Sequence, residues 1–157
     1  MIFYDFEVFA YDWLVVLIDL NAKQETVIIN DPDKLKGFYE SHKETIWAGY
    51  NSRHYDQFIL KGILCGFNPK KVNDWIILDD KPGYRFSSLF RNFPLINYDV
   101  MPNPPISLKA LEAFMGHSIK ETTVPFDIDR PLTEAELAET VKYCRHDVEQ
   151  TVEVWLR

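Results

Sequence analysis

Cysteine is scarce in this chain of 157 residues: Cys65 and Cys144 are the only two, and they form no CxxC pair. That count leaves no disulfide framework and no cysteine-based zinc site, and the expected setting is a reducing cytosol. Long apolar runs are missing too. The longest, WLVVLIDL, contains Asp19 and is too short to span a bilayer, and no basic n-region opens the chain. A soluble, intracellular protein with no membrane contact is expected. Positive charge is also short, with 17 Lys and Arg against 24 Asp and Glu and a net charge of −7. Affinity for a polyanion comes chiefly from Lys and Arg, so this domain alone is expected to bind nucleic acid weakly. Divalent ions held by some of the carboxylates would invert the local sign. Internal repeats, runs of like charge and low-complexity linkers are absent. One domain over residues 1–157 is therefore expected, and an end soon after a long helix points to a piece of a larger protein or to a compact stand-alone one.

What is present in quantity is apolar and aromatic: 46% hydrophobic and 15% aromatic residues, enough for a well-packed core. Three segments rich in aromatic and branched residues, IFYDFEVF, WLVVLIDL and ETVIIN, read as an antiparallel meander with a turn at Asn21-Ala22-Lys23. DPDKLKGFYESHK has helical spacing with Leu35, Phe38 and Tyr39 on its apolar side. TIWAGY reads as a buried strand, followed by a loop and a helix through YDQFILKGILCGF. Between about Asn68 and Asn97 the pattern fades: WIILDD fits a short helix or strand, and SSLFRNFP a loop or short helical piece. LINYDV reads as a further strand and ISLKALEAFMG as a helix capped by Gly116. Thr133 to Glu136 spell a capping box opening a long last helix. Strands followed by strand-helix alternation indicate an α/β fold: a central mixed sheet, three antiparallel strands then parallel ones, flanked by helices.

Three clusters carry candidate chemistry. Asp5 and Glu7 stand two apart on the first strand and so project from one face, where two carboxylates among apolar neighbours repel unless a cation intervenes. Asp56 falls in the first turn after a strand-loop junction that contains Asn51 and Tyr55. Tyr143 and Asp147, four apart on the last helix, share a face one turn apart. Each has an ordinary alternative: solvated edge acids, a helix N-terminal acid, a turn-forming Asn51, a core tyrosine with Asp147 paired to Arg145. If the clusters converge, four carboxylates and a phenol make a site for two divalent metals.

The order and combination of these clusters resemble the three motifs of the DEDD 3′-5′ exonuclease family. Tyr143-Cys144-x-x-Asp147 and Gly49-Tyr50-Asn51-x-x-x-Tyr55-Asp56 are similar to the tyrosine subgroup, particularly the proofreading domains of phage and other family B DNA polymerases. Ser107-Leu108-Lys109-Ala110-Leu111 resembles a segment with which those domains hold single-stranded DNA. The resemblance implies a ribonuclease H-like fold and a two-metal hydrolysis with ions about 3.5–4 Å apart. All-oxygen ligation suits Mg²⁺ or Mn²⁺. Asp5 would bridge both ions, Glu7 and Asp147 would complete one, and Asp56 would act largely through water on the other. Tyr143 would hydrogen-bond the attacking water and the scissile phosphate without acting as general base, since a phenol of pKa near 10 is a poor proton acceptor at neutral pH.

Asn51, Tyr55, Ser107, Leu108 and Lys120 are expected to hold the last nucleotides, with Phe6 or Phe9 as stacking surfaces and His54 within reach of phosphate. His146 is expected at the surface or behind the site. The implied partners are a single-stranded or frayed DNA 3′ end and a polymerase domain or replication proteins, in the cytosol of a bacterium or phage-infected host. Position 8 is Val where many relatives have Thr or Ser, which removes one side-chain contact to the terminal nucleotide. An exoribonuclease on the same scaffold and a non-catalytic binding module are the alternatives.

Overall fold

A computed structural model describes residues 1–116 and 122–157. Strands β1 (Ile2–Val8), β2 (Trp13–Asp19) and β3 (Gln24–Ile29) form the antiparallel meander. Helix α1 (Pro32–His42) carries the chain to β4 (Trp47–Gly49), which lies parallel to β1. Helices α2 (Asp56–Leu64) and α3 (Pro69–Ile77) then precede β5 (Asn97–Asp99), parallel to β4. The five-stranded sheet has the order β3-β2-β1-β4-β5, so β1 is central. Helices α4 (Leu108–Phe114) and α5 (Glu134–Leu156) complete the chain.

Alternation along β1 sorts its side chains between two cores. Ile2, Tyr4, Phe6 and Val8 pack with Leu35 and Tyr39 of α1, Ile59, Leu60 and Ile63 of α2 and Val72 of α3. Phe3 faces the other way, with Leu14, Val16, Cys144 and Val148, so α5 covers that face. Asp5 and Glu7 share the parity of Phe3 and therefore point toward α5. In the meander, Asp5 lies opposite Val16 and Glu7 opposite Leu14, so neither acid has a charged cross-strand partner.

Local signals set the helix ends. Asp31 accepts from the Lys34 amide at 3.0 Å, and Asn68 from the Lys70 amide at 2.9 Å, each just ahead of a proline suited to the first turn. The capping box is present: the Glu136 amide donates to Thr133 Oγ1 and the Thr133 amide to Glu136 Oε1. Arg130 grips the same carboxylate with both guanidinium ends, at 2.7 and 2.9 Å, and that hydrogen bond holds the Glu136 carboxyl down at about 2. The buried residues of α5 are Thr140, Cys144, Val148 and Thr151, a stripe at helical spacing. Tyr143 and Asp147 each precede a stripe residue by one, which sets them about 100° round the helix, at the edge of the buried face.

The illegible middle resolves into α3, which begins well before the WIILDD segment, and two short 3₁₀ turns at Gly83–Arg85 and Ser88–Asn92. An aromatic cluster, and no regular period, holds these turns: Phe86 stacks on Phe90 and meets Phe67 and Trp75 edge-on. Gly83 permits the closest approach, since a Cβ there would come within 2.2 Å of the Phe58 ring.

Candidate active site

Strand β4 is short, and its end exposes the edge of β1 that the site uses. It pairs with β1 only at Ile2 and Phe3. The Ile2 amide donates to Ile46 on this side, so by alternation the Phe6 amide points the same way, beyond the end of β4. Asp56 takes it, with Oδ1 at 3.0 Å. The carboxylate that opens α2 is thereby pinned to β1 at the residue between Asp5 and Glu7, and is only 2% exposed.

The loop between β4 and α2 is held from below by Asp99 at the end of β5. The Asn51 and Met101 amides donate to its Oδ1 at 2.9 and 3.0 Å, and the Arg53 amide to its Oδ2 at 3.1 Å. Asn51 sits at φ 60°, a left-handed conformation that asparagine tolerates. Gly49 is required beneath it, since a Cβ would lie 2.8 Å from Ser52 Cβ and 3.1 Å from the Tyr4 carbonyl.

From the other side α5 brings Cys144 and Asp147. One ligand atom each from Asp5, Glu7 and Cys144 lies within 4.8 Å of the others. Cys144 Sγ donates to the Asp5 carbonyl at 3.2 Å and to Asp5 Oδ2 at 3.5 Å. Asp147 accepts from Lys109 Nζ at 2.7 Å. A cleft of about 270 Å³ opens between Glu7, Lys109, Tyr143, Asp147 and Phe126.

Burial and mutual repulsion dominate the electrostatics. Desolvation, then the charge of Asp147, raises the Asp5 carboxyl to about 7. Desolvation and the charge of Asp5 lift Glu7 and Asp56 well above the ordinary carboxylate range. The four acids therefore act on one another as one cluster, although they come from three separate segments. Burial and the neighbouring carboxylates also push the Cys144 thiol well up, which keeps it protonated and a weak candidate for a thiolate ligand. Lys109 is pulled down by burial, but its hydrogen bond to Asp147 and that residue's charge prevail and raise it. Asp5 and Glu7 offer hard oxygen donors within 4.8 Å of each other, and the carboxylates around them leave the cluster short of positive charge, a donor set that suits divalent ions of the Mg²⁺ or Mn²⁺ type.

The expected strand-binding residues divide. Asn51, Ser107 and Leu108 do come together, around a hollow of about 480 Å³ that Tyr50 and Ile106 also line, and the Tyr50 hydroxyl donates to the Ile106 carbonyl. Tyr55 is largely turned inward, its hydroxyl donating to Asn73 Oδ1 at 2.6 Å. Phe6 and Phe9 cannot be stacking surfaces: they are 3% and 1% exposed. Phe6 falls on the α1–α3 side of the sheet by the parity of β1, and Phe9 lies under Phe126 and beside Val124 and Leu132. Phe126 itself is half-exposed on the cleft rim, 5.2 Å from the Phe9 ring, and its position after a proline in a polar stretch was the available signal. Lys120 lies outside the described residues. Asp147 pairs with Lys109, and Arg145 reaches Glu25 on β3 instead. His146 faces a buried carboxylate, with Nε2 3.5 Å from Glu112 Oε1.

No family model, curated protein or solved structure matches this chain. No helix of the described residues is long and apolar enough to cross a membrane.

Proposed function

We propose that the chain is a metal-dependent phosphodiesterase with the ribonuclease H-like arrangement. More particularly, it is a 3′-5′ exodeoxyribonuclease of the DEDD type, tyrosine subgroup, acting on single-stranded or frayed DNA ends in the manner of a proofreading domain. The observation that carries this reading is the convergence of Asp5, Glu7, Asp56 and Asp147 into one electrostatically interacting cluster, with Asp56 bonded to the Phe6 amide and with Glu7 and Asp147 lining the same cleft. Asp99 supports it by presenting Asn51 to the hollow that Ser107 and Leu108 share.

Two divalent ions would be held by Asp5, Glu7, Asp56 and Asp147, and would supply an activated water and charge relief on the phosphate and the leaving oxygen. The chain's own residues do the rest. Asn51, Ser107 and Leu108 seat the last nucleotides, and Phe126 offers a face to a base. Tyr143 donates its hydroxyl toward the attacking water or a phosphate oxygen. Paired ends enter only after fraying, and a mismatch frays at lower cost, which gives editing its selectivity.

The test is incubation of 5′-labelled single-stranded DNA with Mg²⁺ or Mn²⁺, beside Asp5→Ala and Asp147→Ala and beside a matched ribo-oligonucleotide. A ladder shortened from the 3′ end, absent in both variants, is expected. No ladder from the unmutated protein refutes the nuclease reading, and a ladder on RNA alone moves the assignment to an exoribonuclease.

A further inference from the structure

Lys109 lies within the segment from Ser107 to Leu111, beside residues expected to hold the strand, without a role of its own in that expectation. It follows Leu108, which lines the hollow assigned to the strand, in the first turn of α4, and it lines the carboxylate cleft itself. Its Nζ lies 2.7 Å from Asp147 Oδ1, and the two side chains are 35% and 23% exposed. Asp147 thus has a cation already, on the carboxylate that the function above gives to a divalent ion. A carboxylate oxygen closely held by an ammonium offers a competing divalent ion less of its charge. The lysine stem is flexible, with three rotatable donors at its tip, so the ammonium can change partners without movement of α4.

We propose that Lys109 is a resident counter-cation that changes partner: it holds Asp147, yields it when a divalent ion binds, and passes to a phosphate of the strand's 3′ end. This rests on the nuclease reading of the site. Three features favour it. The residue directly follows Ser107 and Leu108, which line the strand hollow, and its ammonium reaches the carboxylate cleft, so it is within a few residues of both parts of the proposed site. Lysine suits phosphate as a compact point charge. A displaced ammonium among carboxylates is also spared the cost of standing alone, since it moves to another anion. The consequence is ordered loading, in which metal binding frees the cation that then secures the DNA end.

Two binding measurements test this without a catalytic readout. Mn²⁺ affinity is measured by calorimetry on the DNA-free protein, for wild type, Lys109→Met and Lys109→Arg. Strand affinity is measured by rapid-mixing anisotropy in Mn²⁺, within the first turnover, on an oligothymidylate whose last linkage is either a phosphodiester or an uncharged methylphosphonate. Lys109→Met is expected to bind Mn²⁺ several-fold more tightly than wild type. Its preference for the charged linkage should also fall, by roughly tenfold, as for the loss of one charge-assisted hydrogen bond. Lys109→Arg, which keeps the charge and the fold should the methionine variant fail to hold it, should stay close to wild type in both. Unchanged Mn²⁺ affinity in a folded Lys109→Met protein overturns the counter-cation role. Tighter Mn²⁺ binding with an unchanged linkage preference overturns the hand-over. If wild type binds no Mn²⁺ at all, the metal-site reading itself fails, and this inference with it.

Discussion

Replacing Asp5 by Asn should stabilise this protein while abolishing its activity. Folding raises the Asp5 carboxyl from 3.8 to about 7, by desolvation first and by Asp147 second. Each factor of ten in proton affinity is worth about 1.4 kcal/mol, so ionised Asp5 costs the folded chain on the order of 4 kcal/mol above pH 7. Between the two values the folded protein keeps a proton that the unfolded chain has released. Stability is therefore complete below about pH 4, falls as pH rises through about 7, and is level beyond. Asn keeps the shape without the charge. It forfeits part of the contacts with Glu7 and Cys144, on the order of 1 kcal/mol, leaving a gain of roughly 2–3 kcal/mol at pH 8. For a domain of this length that is roughly 5–10 °C in Tm. Urea unfolding in EDTA, followed by the fluorescence of the buried Trp13 and Trp47, measures it at pH 4 and pH 8. The gain should appear at pH 8 and be replaced at pH 4, where the wild-type carboxyl is neutral in the folded chain, by no gain or a loss of about 1 kcal/mol. Adding Mn²⁺ at pH 8 should reverse the order by stabilising the wild type more, through mass action on the folded state. An equal effect at both pH values, or a loss at pH 8, refutes the claim that the Asp5 charge is held at a net cost.

Other sites give simpler tests. Tyr143→Phe should leave the urea midpoint within error and lower kcat by roughly a hundredfold, as for a lost donor to developing charge, in the ladder assay with Mn²⁺. Gly49→Ala should cost roughly 1–3 kcal/mol, because the new methyl meets Ser52 and the Tyr4 carbonyl, and should weaken single-strand binding by displacing Asn51. Glu112 is fully buried with both oxygens lacking a hydrogen bond, 3.5 Å from His146. Glu112→Leu should therefore be neutral or stabilising in thermal melts, whereas His146→Ala, which leaves that carboxylate without the imidazole, should lower Tm.

Residue spacing by itself determined much of this protein. Period-two alternation in IFYDFEV placed Asp5 and Glu7 on one face. The capping box opened the last helix, and the four-residue spacing put Tyr143 and Asp147 on one face of it, because both are local consequences of backbone geometry. Proline with Asp31, and Thr133 with Glu136, marked helix starts for the same reason. The region from α3 to β5 stayed obscure because its order comes from aromatic contacts among Phe58, Phe67, Phe86 and Phe90, which have no sequence period.

Only the tertiary structure decided what meets what. The early end of β4 frees the Phe6 amide for Asp56, and the crossing of α5 over β1 sets Cys144 beside Asp5. Sheet parity buried Phe6, and the chain returning after α4 covered Phe9 with Phe126. The docking of α4 on α5 gave Asp147 to Lys109, 38 residues away in sequence, and left Arg145 to Glu25. Those pairings depend on strand length and on how helices pack across a sheet, which are properties of the whole chain. No short segment encodes them.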